Sequence, residues 1–154
     1  MQLDVTTLST LAGNAAVRAV LAAMDDSGHG GVRASHGYVF QTLIDAEPTI
    51  GELATALRIT QQGASKHVAE LEALGYAERV QDAADQRVRR VRMTAAGRAV
   101  VDAGRRARAD LEARLVAAFG PADVETTRKV LTGLLELTCE SATIAGRRAP
   151  LPPA

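Results

Sequence analysis

The segment Ile50–Thr94, IGELATALRITQQGASKHVAELEALGYAERVQDAADQRVRRVRMT, constrains the fold more than any other part of the chain. Leu53, Ala54 and Leu57 recur at helical spacing, and after a tight connection Thr60 opens a second helix with Ala64, Val68 and Leu71 turned inward. Gly75 stops that helix, since glycine readily takes the left-handed conformation in which helices end. Tyr76–Gln81 and Val88–Met93 are rich in β-formers and flank the polar loop Asp82–Arg87, which is the pattern of a hairpin. Two short helices so joined make a helix-turn-helix, whose second helix can enter the major groove of DNA. The arginine-loaded hairpin behind it stands where a wing would be.

Helical periodicity fills the rest of the chain. Leu8, Leu11, Ala15, Ala19 and Ala22 mark a first helix over Leu3–Met24, broken by Asp25–Gly31. A second runs over Ala34–Ala46 with His36, Val39, Phe40 and Leu43 on one face, and Pro48 ends it. Thr49-Ile50 reads as a short extended piece before a helix from Gly51. Thr94 caps a long helix to Phe119 with Val100, Val101, Ala107, Leu111 and Leu115 inward. After Gly120-Pro121 a last helix begins near Asp123 and carries Val130, Leu131, Leu134, Leu135 and Leu137 towards Thr143. The fold class is mainly α with a small β-hairpin wing: a winged helix-turn-helix with N- and C-terminal dimerisation helices. The domain reading is 1–33 dimerisation helix and connection, 34–97 DNA-binding domain, 98–145 dimerisation helices and 146–154 a proline-rich tail. The outer helices have wide apolar faces that the central module does not cover, and a second copy of the chain is the economical cover.

Formal net charge is zero over 154 residues, so bulk charge does not announce a nucleic-acid partner. Its distribution does, with arginines at 79, 87, 89, 90, 92, 98, 105, 106 and 108 against aspartates only at 82, 85 and 102 in that stretch. Such a stripe concentrates attraction to phosphate on one face. A single cysteine, Cys139, excludes an internal disulfide or a cysteine-rich zinc module. No apolar run approaches the roughly 20 residues of a membrane span, and no basic-then-apolar leader opens the chain, so no membrane is expected and the compartment is read as cytoplasmic.

The wing carries the most specific resemblance. Asp82-Ala-Ala-Asp85-Gln-Arg87, then VRRVRMT and Ala95-Ala96-Gly97, is similar to the Asp-x-x-Asp-x-Arg loop and following Leu-Thr-x-x-Gly of the MarR family, with Met93 in place of the leucine. Leu71-x-x-Leu74-Gly75-Tyr76 and Leu53-Ala54 match as well, so the chain resembles MarR-family winged helix-turn-helix regulators over essentially its whole length. The resemblance implies a homodimer that reads half of a pseudo-palindromic operator in double-stranded DNA with each winged domain, half-sites lying about one helical turn apart. It further implies a small aromatic effector, held between winged domain and dimerisation helices in many members, whose binding releases DNA.

With Ala64, Val68 and Leu71 inward, the second helix of the motif turns Gln61, Gln62, Ser65 and Lys66 outward. Gln suits adenine, Lys suits guanine or phosphate, and Ser suits phosphate; the bland alternative is a solvated helix face. Arg87 resembles the family's minor-groove arginine, where negative potential is focused, and Asp85 is expected to orient its guanidinium fork. Arg79 is a further phosphate candidate. Arg89 and Arg90 point to opposite faces of their strand, so at most one of them, assigned here as Arg89, reaches phosphate easily. His67 is expected to be packed and hydrogen-bonded. His36, beside Phe40, is either a satisfied core residue or a ligand-binding group, and the two together are the effector-pocket candidates.

No metal and no cofactor are expected: only His29, His36 and His67 are present, and none is read as having an acidic partner at helical ligand spacing. Cys139 lies far from the first helix, where the family's peroxide sensors carry theirs, and is read as a buried, inert thiol. There is no nucleophile–base pair and no phosphate-binding glycine loop, so an enzyme is not expected. The competing reading is a winged-helix module used only for protein contact.

Overall fold

The structure, a computed structural model, describes residues 3–138. Cys139 and the tail 146–154 lie outside them. The order is α1 (Val5–Asp26), α2 (Ala34–Leu43), α3 (Ile50–Leu57), α4 (Gln61–Ala73), β1 (Ala77–Gln81), β2 (Arg89–Met93), α5 (Ala95–Phe119) and α6 (Pro121–Leu137). The chain forms two compact units. Among the described residues, one comprises 3–30 and 103–138, and the other is Gly31–Asp102.

In the central unit the helix ends follow from named side chains. Thr49 and Glu52 make a reciprocal cap at the start of α3: Thr49 Oγ1 accepts the Glu52 N–H at 3.2 Å and Glu52 Oε2 accepts the Thr49 N–H at 2.8 Å. Thr49 is an extended cap (φ −71°, ψ 166°), as read, and Ile50 is already helical, which corrects the extended reading at Ile50. The competing signal was the β-branched pair, and the Thr-x-x-Glu box overrides it. The residue before Thr49 is tied to the sheet, the Pro48 carbonyl accepting the Val91 N–H at 2.8 Å. Arg58 ends α3 in the left-handed conformation (φ 56°), and Ile59 returns its N–H to the Ala54 carbonyl at 3.0 Å. Thr60 then caps α4 by accepting the Gly63 N–H at 3.0 Å.

These caps fix which face of each helix looks in. Leu53, Leu57, Val39, Val68, Leu71, Val91 and Val100 are fully buried together, each worth roughly 1.5–3 kcal/mol of transfer free energy. The sheet is the single antiparallel pair β1-β2, with Ala77 opposite Met93, Arg79 opposite Val91 and Gln81 opposite Arg89. Alternation sends Val91 and Met93 into the core and Arg90 and Arg92 to the other face. Helix α2 stops at Leu43, three residues short of the sequence reading, although Pro48 lies further on.

The other unit is built differently. Only Met24 of α1 is buried, and α6 buries nothing. Leu8, Leu11 and Val17 of α1, Leu115 and Phe119 of α5, and Val130, Leu131, Leu135 and Leu137 of α6 are exposed. Leu115 is thus not an inward residue within one chain. Helix α6 starts at Pro121, a residue suited to a first helical turn, rather than at Asp123. Arg128 ties α6 to α5 through Glu112 at 2.6 Å. Helix α1 also corrects one expectation. Its 22 residues are long and apolar enough, by length and composition alone, to cross a membrane. The sequence reading sought an unbroken apolar run, whereas α1 interleaves Ala, Val and Leu with Ser and Thr.

Candidate nucleic-acid interface

The outward face of α4 is set by its core. Because Ala64, Val68 and Leu71 are fully buried, Gln61, Gln62 and Lys66 are exposed and Ser65 half-exposed along the first two turns. A side chain added at Gly51 would meet Gln61 Nε2 at 3.5 Å, so Gln61 lies back along the start of α3. Gln62 and Lys66 stand clear of it.

Arg79 differs from its reading as a simple phosphate contact. Its guanidinium pairs with Glu72 at 2.8 Å and donates to Ser65 Oγ at 3.2 Å, while Glu72 Oε1 accepts its backbone N–H at 3.1 Å. It braces β1 against α4. Ser65 Oγ, used here as an acceptor, keeps its own proton to donate outward.

The wing tip is shaped by its two aspartates. Asp82 Oδ1 accepts the N–H groups of Ala84 at 2.8 Å and Asp85 at 3.1 Å, and Asp85 Oδ1 accepts that of Arg87 at 2.9 Å. Short acceptor side chains turn a loop in this way by standing in for backbone carbonyls. Asp85 was expected to hold the Arg87 guanidinium; it holds the Arg87 main chain instead. Arg87 and Arg89 are exposed, and no described side chain pairs with either guanidinium.

Arg90 is occupied. It bonds Asp82 through Nε, the Glu47 carbonyl at 3.0 Å and Glu52 at 3.5 Å, fastening the wing to the connection before α3. The guanidinium holds the Asp82 carboxyl down at about 2, helped by the two loop N–H groups. Arg92 pairs across the hairpin with Glu78 at 3.0 Å. Of the basic stripe, Arg79, Arg90 and Arg92 are therefore structural, while Arg87 and Arg89 are free to meet an anion. Sequence spacing found the arginines, but it could not tell braced from free ones.

The expected pocket residues are interior. His36 is 1% exposed and Phe40 5%, with the Phe40 ring 6.5 Å from that of Tyr76. His36 Nδ1 accepts the Arg33 N–H at 3.2 Å, and its Nε2 lies 3.0 Å from Glu70 Oε2. Both nitrogens are in use, which favours the satisfied-core alternative over a ligand contact. His67 departs from its reading: its Nδ1 is buried with no hydrogen-bond partner and stands 3.7 Å from Glu70 Oε2. Burial lowers its pKa. Glu70, bonded first by His36 and then by Arg33, is held down at about 2. His67 and Glu70 are in fact an i,i+3 pair on α4, so the view that no histidine has an acidic partner at helical spacing is corrected.

The geometry can be set beside known proteins. The MarR family model matches residues 31–88. Among solved structures, the reduced form of MarR from E. coli is similar with a TM-score of 0.70 at 19% identity, covering 88% of this chain and 98% of that one. YusO from Bacillus subtilis gives 0.68 at 17%, covering 85% and 92%. A MepR mutant from S. aureus bound to an oligodeoxyribonucleotide gives 0.60 at 20%, covering 89% and 99%. Identities this low speak for the fold. No curated protein matches the sequence. The family match falls on the residues that build the helix-turn-helix and most of the wing, and over them the chain is similar to the MarR family of winged helix-turn-helix proteins.

Proposed function

We propose that the protein is a sequence-specific DNA-binding transcription regulator that works as a homodimeric repressor. One observation carries this reading. The exposed polar face of α4 (Gln62, Ser65, Lys66) and the free arginines of the wing tip (Arg87, Arg89) belong to one compact unit. A helix of this kind reads base edges in the major groove, and a guanidinium beside it suits the narrow minor groove. Gln61 and Arg79 enter as residues that support this face. In this reading residues 34–97 bind DNA, while 1–33 and 98–145 dimerise through the exposed leucines and valines of α1, α5 and α6. Burial of that apolar area stabilises by about 25 cal/mol per Å2. A cytoplasmic location and a non-enzymatic role follow from the same reading.

The similarity to a relative bound to an oligodeoxyribonucleotide supports the DNA partner. Response to a small aromatic effector is the finer part of the proposal. It would act by favouring an arrangement of the two winged units that does not fit the operator.

The test is fluorescence anisotropy with DNA from upstream of the protein's own gene, against scrambled DNA, over a salt series. Specific binding whose affinity falls steeply with salt is the expected result. Equal, weak binding to both DNAs would overturn the reading in favour of a protein-contact module. Adding phenolic acids to the complex tests the effector response separately, by release of the DNA.

A further inference from the structure

Helices α2 and α4 bring His36, His67 and Glu70 together, with one ligand-type atom from each within 4.8 Å of the others. His67 and Glu70 are one turn apart on α4, and the fold brings His36, 34 residues before Glu70, to them. His36 Nε2 is 3.0 Å and His67 Nδ1 3.7 Å from the same oxygen, Glu70 Oε2. Around a tetrahedral zinc with bonds of about 2.0–2.2 Å, neighbouring ligand atoms lie about 3.3 Å apart, so the two distances bracket what a zinc ion needs. The buried, unpartnered His67 Nδ1 is the independent sign. A buried polar atom normally has a partner, and an exception calls for a role. We propose that His36, His67 and Glu70 form a binding site for a divalent transition metal of the zinc class, latching α2 to the recognition helix α4.

The donor set suits that class, because two imidazoles and one carboxylate are borderline ligands that prefer Zn²⁺ or Co²⁺ to Mg²⁺ or Ca²⁺. His67 Nδ1 has no hydrogen-bond partner to compete with a metal ion for its lone pair. What opposes the metal is equally definite. The Arg33 guanidinium rests on Glu70 Oε2, and Lys66 lies nearby with the same sign of charge. Metal on His36 Nε2 also moves the ring proton to Nδ1, where it would face the Arg33 N–H. The first conflict is with the Arg33 side chain, which is 58% exposed and can swing into water; the second is with the Arg33 main-chain N–H, which must give up its bond to Nδ1 and turn to solvent. Arg33 and the metal therefore exclude each other, and the site is either arginine-latched or metal-latched.

The test uses the full chain. Co²⁺ titration followed by visible absorption should give one equivalent per chain with a tetrahedral ligand-field band, displaced by Zn²⁺. His67→Ala should weaken Co²⁺ binding by at least about tenfold, since even outer-shell losses cost that much. His29→Ala should leave it unchanged. Arg33→Ala should tighten it by up to about fivefold, the size of an exposed ion pair removed from competition; a merely structural cluster predicts no such gain. A wild-type measurement guards against misfolded variants: one equivalent of Zn²⁺ should move the ring proton resonances of His36 and His67 and not those of His29. No stoichiometric binding, a His67→Ala variant that binds like wild type, a weaker Arg33→Ala, or movement of His29 instead would each overturn the proposal.

Discussion

Gly97→Ala sets two physical effects against each other within one residue. Gly97 lies in the first turn of α5, and replacing a helical glycine by alanine ordinarily stabilises by about 1 kcal/mol. Here the added Cβ would stand 2.1 Å from the carbonyl oxygen of Tyr76 and 2.8 Å from Met93 Cγ. The first neighbour is backbone and cannot rotate away, so α5 and the start of β1 must part by about an ångström. Overpacking of this kind costs about 1–3 kcal/mol. The same movement strains the bond from the Thr94 N–H to the Tyr76 carbonyl, 3.1 Å long, worth about 0.5–1.5 kcal/mol. Subtracting the helical gain leaves a net loss of about 0.5–3.5 kcal/mol. Gly104→Ala on the same helix is the control, since its Cβ would meet only the flexible ends of Arg108 at 3.3 Å and Met24 at 3.4 Å. Urea unfolding at one fixed protein concentration should show the midpoint falling for Gly97→Ala and holding or rising for Gly104→Ala. If Gly97→Ala raises the midpoint, the close approach of α5 to Tyr76 is wrong.

Arg87→Ala should weaken operator binding by about 1–3 kcal/mol and reduce the salt slope by about 1, measured by anisotropy at matched salt. Arg79→Ala should lower unfolding stability as well as DNA affinity, since Arg79 braces Ser65 and Glu72; a variant that binds DNA less well at unchanged stability would contradict that brace. Leu131→Asp should shift the species seen by light scattering from dimer towards monomer, because Leu131 is exposed on α6 within one chain. Glu70 and Asp82 are depressed from 4.5 and 3.8 to about 2, so their contribution to stability is complete above the ordinary carboxylate values and is lost as pH falls towards 2. The Glu70→Gln/Asp82→Asn double variant should flatten an acid titration of stability over that window, with the difference shrinking in high salt.

The sequence made the elements of the winged unit legible because their signals are local. Thr60, Gly75 and Thr94 punctuate helices wherever they stand, and Leu53, Leu57, Val68 and Leu71 repeat with the helical period. The site was legible only in composition. That Arg90 and Arg79 are engaged while Arg87 and Arg89 are free depends on Glu52, Asp82, Glu72 and Ser65 arriving from other elements, which no window along the chain reveals. The same holds for His36, whose partner Glu70 lies on another helix. Only the i,i+3 relation of His67 to Glu70 could have been read beforehand, by checking each histidine for a carboxylate one turn away.

The two aspartate-capped turns at the wing tip have a consequence for binding thermodynamics. Fixing the backbone of a flexible loop removes about 1–2 kcal/mol of conformational entropy per residue. Asp82 and Asp85 impose that order during folding, through bonds of 2.8–3.1 Å to Ala84, Asp85 and Arg87, before any nucleic acid is present. Association then has less disorder to remove, and a contact from Arg87 is expressed more fully as affinity. Replacing Asp85 by alanine would leave every guanidinium in place and still weaken the complex. Its calorimetric mark would be a more unfavourable binding entropy rather than a smaller salt slope.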